Sequence, residues 1–191
     1  NGIIDEDVIE SIIISAVVTF IATLVIGFDD PVEESNDINH NLMNNVKSSI
    51  SGKILDLNSV NDEMFSKEVL GKGVALIPND NKVYSPVEGI ISATFETKHA
   101  IGITTDKNME ILIHIGIDTV KFGGKPFKQF VEKGQRVKQG DLLIEFDKEL
   151  LKQGDADLTT MVVITNSNDY LEIIPTKEKR VNMNDDLLTV I

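Results

Sequence analysis

The sequence predicts an all-β domain, an antiparallel β-sandwich or barrel of short strands, preceded by one transmembrane-type helix and a polar linker. From about residue 48 onward, short apolar runs alternate with Gly, Pro, Asn and Asp, and few segments show the 3.6-residue period of a helix. Residues 11–28, by contrast, hold no charge over 18 residues. The 191 residues therefore divide into the first 28 residues, a linker over 29–47 and a domain over 48–191.

The apolar stretch over 11–28 is predicted to be a transmembrane helix. Its length lies at the short end of the roughly 17 to 25 residues that cross a bilayer. The acidic flank at Asp5, Glu6 and Asp7 argues against a secretory signal peptide, which carries basic residues there. Small and hydroxyl residues recur at every fourth position, a ridge suited to packing between membrane helices. These are Ser11, Ser15, Thr19, Thr23 and Gly27. The alternative is a buried helix of a soluble domain.

The segment over 29–47 is predicted to be a linker, because it is polar and rich in Asn. His40 lies in it and is interpreted as a solvated residue. Residues 1–46 hold nine acidic residues and no Lys or Arg, which leaves 22 acids against 18 bases in the remainder. The absence of a basic cluster argues against a nucleic-acid partner. The absence of cysteine excludes disulfides, thiolate metal sites and cysteine catalysis in this chain.

Short apolar runs bounded by turn residues predict the strands of the domain. One segment over 148–153 is predicted to be a helical turn. Residues 130–141, with the pattern GxxVxxGD, indicate two Gly-centred turns around a short strand. Similar hairpins occur in biotinyl and lipoyl carrier domains, so that class stays open. The predicted strands include residues 74–78, 82–86, 89–91, 101–103, 142–146 and 161–164.

The stretch "ILIHIGIDT" over 111–119 places a histidine among aliphatic residues. Side chains alternate between the two faces of a strand. One face therefore carries the isoleucines and is predicted to be the core. The opposite face carries His114, Gly116 and Asp118, together with Leu112. The histidine is predicted to lie on this opposite face, as a functional residue, rather than in the core.

The same alternation through residues 95–100 groups Phe95, Thr97 and His99 on one face of a second strand. His99 and His114 lie 15 residues apart with "TTDKN" between them. This spacing suits two antiparallel strands joined by a turn. We therefore expect the two imidazoles to be adjacent, with the Thr97 hydroxyl beside them.

Two neighbouring neutral imidazoles support two kinds of chemistry. Zinc binding needs a further protein ligand, for which Asp118 is the nearby candidate. In phosphoryl transfer, one ring nitrogen attacks phosphorus while a second N–H and a hydroxyl stabilise the transferring oxygens. An apolar rim of Phe95, Leu112 and Val120 would exclude water and offer a docking surface. Phosphoryl transfer is the preferred hypothesis because it uses all of these residues, and a zinc hydrolase is the alternative.

The segments "FETKHAIGI", "EILIHIGIDTV" and "FVEKGQRVKQGDLLIEFD" resemble the glucose-type enzyme IIA domain of the bacterial phosphoenolpyruvate-dependent sugar phosphotransferase system (PTS). The resemblance runs from about Gly52 to the C-terminus and implies an antiparallel β-sandwich. It implies that His114 accepts phosphate from the carrier protein HPr and passes it to a cysteine of an enzyme IIB domain. His99 matches the second active-site histidine, and Thr97 matches the hydroxyl beside it.

The resemblance also implies a partner-binding rim and an orienting backbone at Gly116. Asn108 replaces a usual turn glycine and should preserve the turn, since Asn tolerates a positive φ. Leu112 replaces a common aromatic residue, which is expected to weaken packing against a partner. No cofactor and no metal are implied. The matching rim residues are Asp62, Phe65, Phe95, Leu112, Gly116, Asp118 and Val120.

The same resemblance also indicates what the predicted leading helix is. In β-glucoside-type permeases of the B-C-A order, the IIA domain follows the membrane-spanning IIC domain. Residues 11–28 look like the last IIC helix. The chain is then expected to be the C-terminal part of a phosphotransferase in the bacterial cell membrane, with its IIA domain facing the cytoplasm. A β-glucoside is the expected sugar, on overall similarity alone.

Overall fold

The computed structural model describes residues 44–191. The predicted leading helix over 11–28 and most of the predicted linker lie outside these residues. Within the described part of the chain, no helix is long and apolar enough to cross a bilayer. Strand β1, Asn44–Lys47, occupies the last four residues of the predicted linker and pairs with the last strand of the chain.

The described chain contains fourteen strands, and every pairing between them is antiparallel. The prediction of an all-β antiparallel domain is confirmed. After β1, the strands are β2 Gly52–Asp56, β3 Lys72–Pro78, β4 Lys82–Tyr84, β5 Gly89–Thr94, β6 Ala100–Thr104, β7 Glu110–Ile115, β8 Phe127–Gln129, β9 Arg136–Val137, β10 Leu142–Phe146, β11 Thr160–Ile164, β12 Ile173–Pro175, β13 Arg180–Val181 and β14 Asp186–Val190.

The strands form one large sheet and two small ones. The eight-stranded sheet has the order β13-β2-β3-β11-β7-β6-β5-β9, and the three-stranded sheets have the orders β1-β14-β12 and β4-β10-β8. Two short α-helices, α1 Glu63–Ser66 and α2 Lys148–Gln153, lie in the connections β2–β3 and β10–β11. Helix α2 confirms the helical turn predicted over 148–153. Single 3-10 turns lie at Leu57–Ser59, Thr119–Phe122 and Ser167–Asp169.

The main core lies on the isoleucine face of β7, as the alternation predicts. Ile111, Ile113 and Ile115 are at most 1% exposed and belong to the main hydrophobic cluster. Their neighbours on β6 and β11 point the same way, since directly paired residues share a face. Alternation thus separates the core from His114, which lies on the opposite face.

The opposite face of the large sheet is also buried, by a second set of apolar side chains outside the main core. His114 pairs with Met161 on β11 and with Ala100 on β6, and Met161 pairs with Ala75 on β3. The segment over 57–70, which includes helix α1, contributes further buried side chains and reaches this face through Phe65. Its buried apolar residues are Leu57, Val60, Phe65 and Leu70.

Two turn predictions are confirmed by the backbone. Asn108 has a φ of 59° in the turn between β6 and β7. Gly134 and Gly140, with φ values of 87° and 88°, flank the short strand β9. A positive φ is unfavourable for most residues, so glycine and asparagine at these positions stabilise the reversals.

The prediction that residues 95–99 form a strand is wrong. Strand β5 ends at Thr94 and β6 begins at Ala100, and Thr94 pairs with Ile101. The chain has to reverse between these paired strands, so residues 95–99 form a turn. Its Lys98 has a φ of 55° and donates a backbone hydrogen bond to the Phe95 carbonyl.

Strand β7 likewise ends earlier than the alternation assumes. Gly116 has a φ of 74°, which ends the extended backbone after Ile115. Ile117 is still buried, although it lies outside the main core. Asp118 is exposed and has a φ of 56°, at the start of the Thr119–Phe122 turn.

Candidate active site

His99 and His114 lie against each other, as their spacing predicts. Their ring centroids are 4.7 Å apart and the ring planes meet at 82°. Strands β6 and β7 form a hairpin in which Ala100 pairs with His114, and Ile115 N donates to the His99 carbonyl. The hairpin register brings the imidazoles together, although His99 lies one residue before β6 and not within a strand. His99 is 4% exposed and His114 is partly exposed.

Nδ1 is hydrogen-bonded or buried in both rings. Nδ1 of His99 and Oγ1 of Thr97 are 2.7 Å apart and share a hydrogen bond. Nδ1 of His114 is buried and has no partner of ordinary hydrogen-bond geometry. Nε2 is therefore the nitrogen that each ring presents to an incoming group.

Aromatic side chains pack against both imidazoles. The Phe65 ring lies with its centroid 5.1 Å from that of His114, and Phe95 lies 5.6 Å from His99. Phe65 is only 2% exposed. Helix α1 places this ring, and Asp62 caps the helix by accepting hydrogen bonds from Met64 N and Phe65 N. Apolar packing of this kind removes water from the ring faces.

The loop after β7 is held by contacts that sequence reasoning does not identify. Thr119 Oγ1 donates to the Ile115 carbonyl at 2.7 Å. Gly116 N donates to the Thr159 carbonyl at 3.1 Å, and Ile117 N donates to the Asp157 carbonyl at 2.8 Å. A glycine at a strand end is a local signal for the Thr119 turn. No local signal points to Asp157 and Thr159, which come from a distant part of the chain.

The residues predicted as a rim differ in how they meet the surface. Phe95 and Val120 are partly exposed, Leu112 is 9% exposed, and Asp118 is exposed. Gly116 and Phe65 are buried. Leu112 lies within β7, Asp62 and Phe65 belong to the α1 segment, and the others lie in the loops beside the histidine pair. Their role in binding a partner stays a prediction.

Burial controls the protonation of both histidines. Desolvation, and after it the nearby His114, together lower the pKa of His99 to about 3. Desolvation also lowers the pKa of His114 to about 4, while the Gly116 backbone acts to raise it. Both imidazoles are therefore neutral at pH 7, and a neutral ring keeps the lone pair that a nucleophile needs.

We expect the domain to lose stability as the pH falls from 7 to 5. Unfolded histidine titrates near 6.5, whereas folded His99 titrates near 3. The unfolded state therefore binds protons first, and each buried neutral histidine lowers the free energy of unfolding by about 2 kcal/mol over this range. Urea unfolding at pH 7 and pH 5 measures the loss. His99→Gln should lose about 2 kcal/mol less than the parent, and an equal loss in both proteins would contradict the assignment.

Gly116→Ala is expected to lower the free energy of unfolding by about 2 to 4 kcal/mol. Its φ of 74° is unfavourable for alanine, and a Cβ would meet Thr119 Cγ2 and, at 2.8 Å, the Asp157 carbonyl oxygen. Gly134→Ala is the matched control, because its φ is 87° with no atom within 4 Å of the new Cβ. It should cost only about 1 kcal/mol. Urea denaturation of both variants measures the difference, and equal losses would refute the steric argument.

Within residues 44–191, no group of three or more His, Cys, Asp or Glu side chains is placed to hold a metal ion. In particular, Asp118 does not join the two histidines in such a group. The zinc-hydrolase hypothesis therefore lacks the third protein ligand that it requires.

The fold and the site together define a class of protein: an antiparallel β domain that presents two neutral, facing histidines at the end of a hairpin. Residues 44–170 match the family model described as phosphoenolpyruvate-dependent sugar phosphotransferase system, EIIA 1. The chain belongs to this family. The resemblance drawn from the histidine motifs is confirmed, and the biotinyl and lipoyl carrier hypotheses gain no support.

Relatives and a solved structure agree with this assignment. The chain is 43% identical over 143 residues to the PTS system β-glucoside-specific EIIBCA component of Halalkalibacterium halodurans, covering 75% of this chain and 22% of that protein. The corresponding component of Bacillus subtilis is 40% identical over 160 residues, covering 82% and 26%. The chain thus spans about a quarter of the length of these relatives. The glucose permease IIA from Mycoplasma capricolum is 33% identical, with a TM-score of 0.69 and coverage of 78% and 96%.

Proposed function

We propose that His114 is the phosphoryl carrier of this domain. Its Nε2 attacks the phosphorus of a phosphohistidine on HPr; a P–N bond forms at His114 and the donor's P–N bond breaks, leaving its electron pair on the donor ring. In the second step a cysteine thiolate of a IIB domain attacks the phosphorus; an S–P bond forms and the P–N bond at His114 breaks, returning its electron pair to Nε2. The single observation that carries the proposal is the facing pair of neutral imidazoles, each with Nδ1 hydrogen-bonded or buried, which leaves Nε2 for the reaction.

The surroundings of the pair support this chemistry. At pH 7 a pKa of about 4 leaves nearly every His114 ring unprotonated and nucleophilic. Phe65 and Phe95 exclude water from the rings, which slows hydrolysis of a phosphohistidine. His99 and the Thr97 hydroxyl supply hydrogen-bonding groups for the phosphoryl oxygens.

The wider role follows from the relatives. The β-glucoside-specific EIIBCA components support a β-glucoside as the sugar that is taken up and phosphorylated. Their BCA order supports a membrane-spanning IIC segment at residues 11–28, with the IIA domain on the cytoplasmic side of the bacterial membrane. The rim around the pair, including Leu112, Asp118 and Val120, is the surface on which HPr and the IIB domain dock.

The test is to locate the phosphate. The chain is incubated with phosphoenolpyruvate, enzyme I and HPr, and the acid-labile phosphate is mapped by NMR of the imidazole nitrogens. Phosphate on Nε2 of His114, and none on His99 or His40, is the expected result. An unmodified chain in the presence of phosphorylated HPr, or phosphate on His99, would overturn the proposal.

A further inference from the structure

Asp62 lies in the rim that the family resemblance assigns to partner binding, but its contacts point inward. Its Oδ1 accepts hydrogen bonds from Met64 N at 2.8 Å and from Phe65 N at 3.4 Å. Its backbone carbonyl accepts two more, from Ser66 N at 2.8 Å and Ser66 Oγ at 2.7 Å. Asp62 therefore takes part in four hydrogen bonds to a helix of only four residues.

A helix this short depends on its cap. Its first N–H groups have no partner within the helix, and one turn forms too few internal bonds to persist alone. The cap therefore decides where residues 63–66 stand. The side chain that this turn buries is Phe65, which is 2% exposed and lies 5.1 Å from the His114 ring, centroid to centroid, at an interplanar angle of 60°.

We propose that Asp62 is a positioning residue for phosphoryl transfer, whose carboxylate fixes helix α1 and so holds the Phe65 ring against the His114 imidazole. The inference rests on the proposed role of His114. The packed ring limits the rotation of the imidazole, so that Nε2 faces the incoming phosphorus, and it keeps water off that side. The low pKa of His114, caused mainly by burial, agrees with this shielding.

A second role for Asp62 is a charge that docks on a basic partner. The two roles predict different effects for the same substitutions. Asparagine and aspartate cap helices about equally well, whereas alanine does not. Asp62→Asn therefore keeps the cap and removes the charge, while Asp62→Ala removes both. Phe65→Leu leaves the cap and alters only the ring.

The chain provides a matched control in helix α2. Asp147 caps it in the same way, with Oδ1 accepting from Glu149 N at 3.0 Å and Leu150 N at 2.9 Å. The side chain that helix α2 buries, Leu151, belongs to the main core. Asp147→Ala thus removes an equivalent cap without changing what lies against His114.

The first measurement is the pKa of His114 by NMR of ¹⁵N-labelled imidazoles, with His99, the other titratable ring in contact with it, followed in the same spectra. In Asp62→Ala and Phe65→Leu we expect the pKa of His114 to rise by about 1 toward its usual value, because water reaches the ring. In Asp62→Asn and Asp147→Ala it should stay unchanged. The amide spectra report whether each variant is folded.

The second measurement is the steady-state kinetics of phosphate uptake from phosphorylated HPr. Asp62→Ala and Phe65→Leu should lower kcat on the order of tenfold, since the reacting nitrogen is misplaced. Asp62→Asn should keep the parent kcat, and any effect of the lost rim charge should appear in the KM for HPr alone. If Asp62→Ala leaves both kcat and the pKa of His114 at the parent values and raises only KM, Asp62 acts only by docking the partner and the inference is wrong. The pKa readout needs no phosphate donor, so it tests positioning even if the parent chain takes up no phosphate.

Discussion

Replacing His114 by alanine is expected to abolish phosphate uptake, lowering the rate by about 10⁴-fold or more. The substitution removes the one imidazole in the described chain that is partly exposed and faces a second imidazole. The readout is label transferred from ³²P-phosphoenolpyruvate through enzyme I and HPr. Because the ring contributes packing as well as chemistry, far-UV circular dichroism should accompany the labelling to verify the fold.

His40→Ala is the control for this experiment, since it removes a histidine from the predicted linker and leaves the pair intact. It should take up label at the parent rate. If the His114→Ala chain is labelled as fully as the parent, His114 is not the carrier. Label that appears on His99 in the variant would show instead that the two rings can exchange roles.

Replacing His99 by glutamine is expected to separate the two halves of the reaction. The variant should still accept phosphate from HPr, within a few-fold of the parent, but should pass it to a IIB domain on the order of a hundredfold more slowly. The attacking group in uptake is the neutral His114 ring, whereas the attacking cysteine is a thiolate. The second transition state therefore carries more negative charge. That charge opposes the desolvation that otherwise keeps His99 neutral, so the imidazole can take up a proton where an amide cannot.

The measurement follows each half-reaction on its own. Chains labelled by HPr are freed of the donor and mixed with a purified IIB domain from a β-glucoside-specific relative, and the loss of label is timed. Parent and His99→Gln chains should start with similar label and then diverge. Full transfer at the parent rate in the variant would count against the role assigned to His99.

Local patterns predicted the parts of the site that depend on nearest neighbours in the chain. Alternation along Ile111, Ile113 and Ile115 separated the core from His114, because side chains of a strand point to opposite faces in turn. The 15-residue spacing predicted that His99 and His114 meet, because a hairpin pairs residues at matching distances from its turn. The same reasoning misassigned residues 95–99 as a strand, because the reversal between β5 and β6 contains no Gly, Pro, Asn or Asp to mark a turn.

The sequence alone thus determined the all-β class, the face on which His114 lies and the pairing of the two histidines, and its motifs identified the family. Only the tertiary structure decided what surrounds them. The Phe65 ring, its Asp62 cap and the Asp157 carbonyl beside Gly116 come from segments more than 40 residues from His114 along the chain. No local period encodes such contacts, yet they set the burial that keeps both rings neutral.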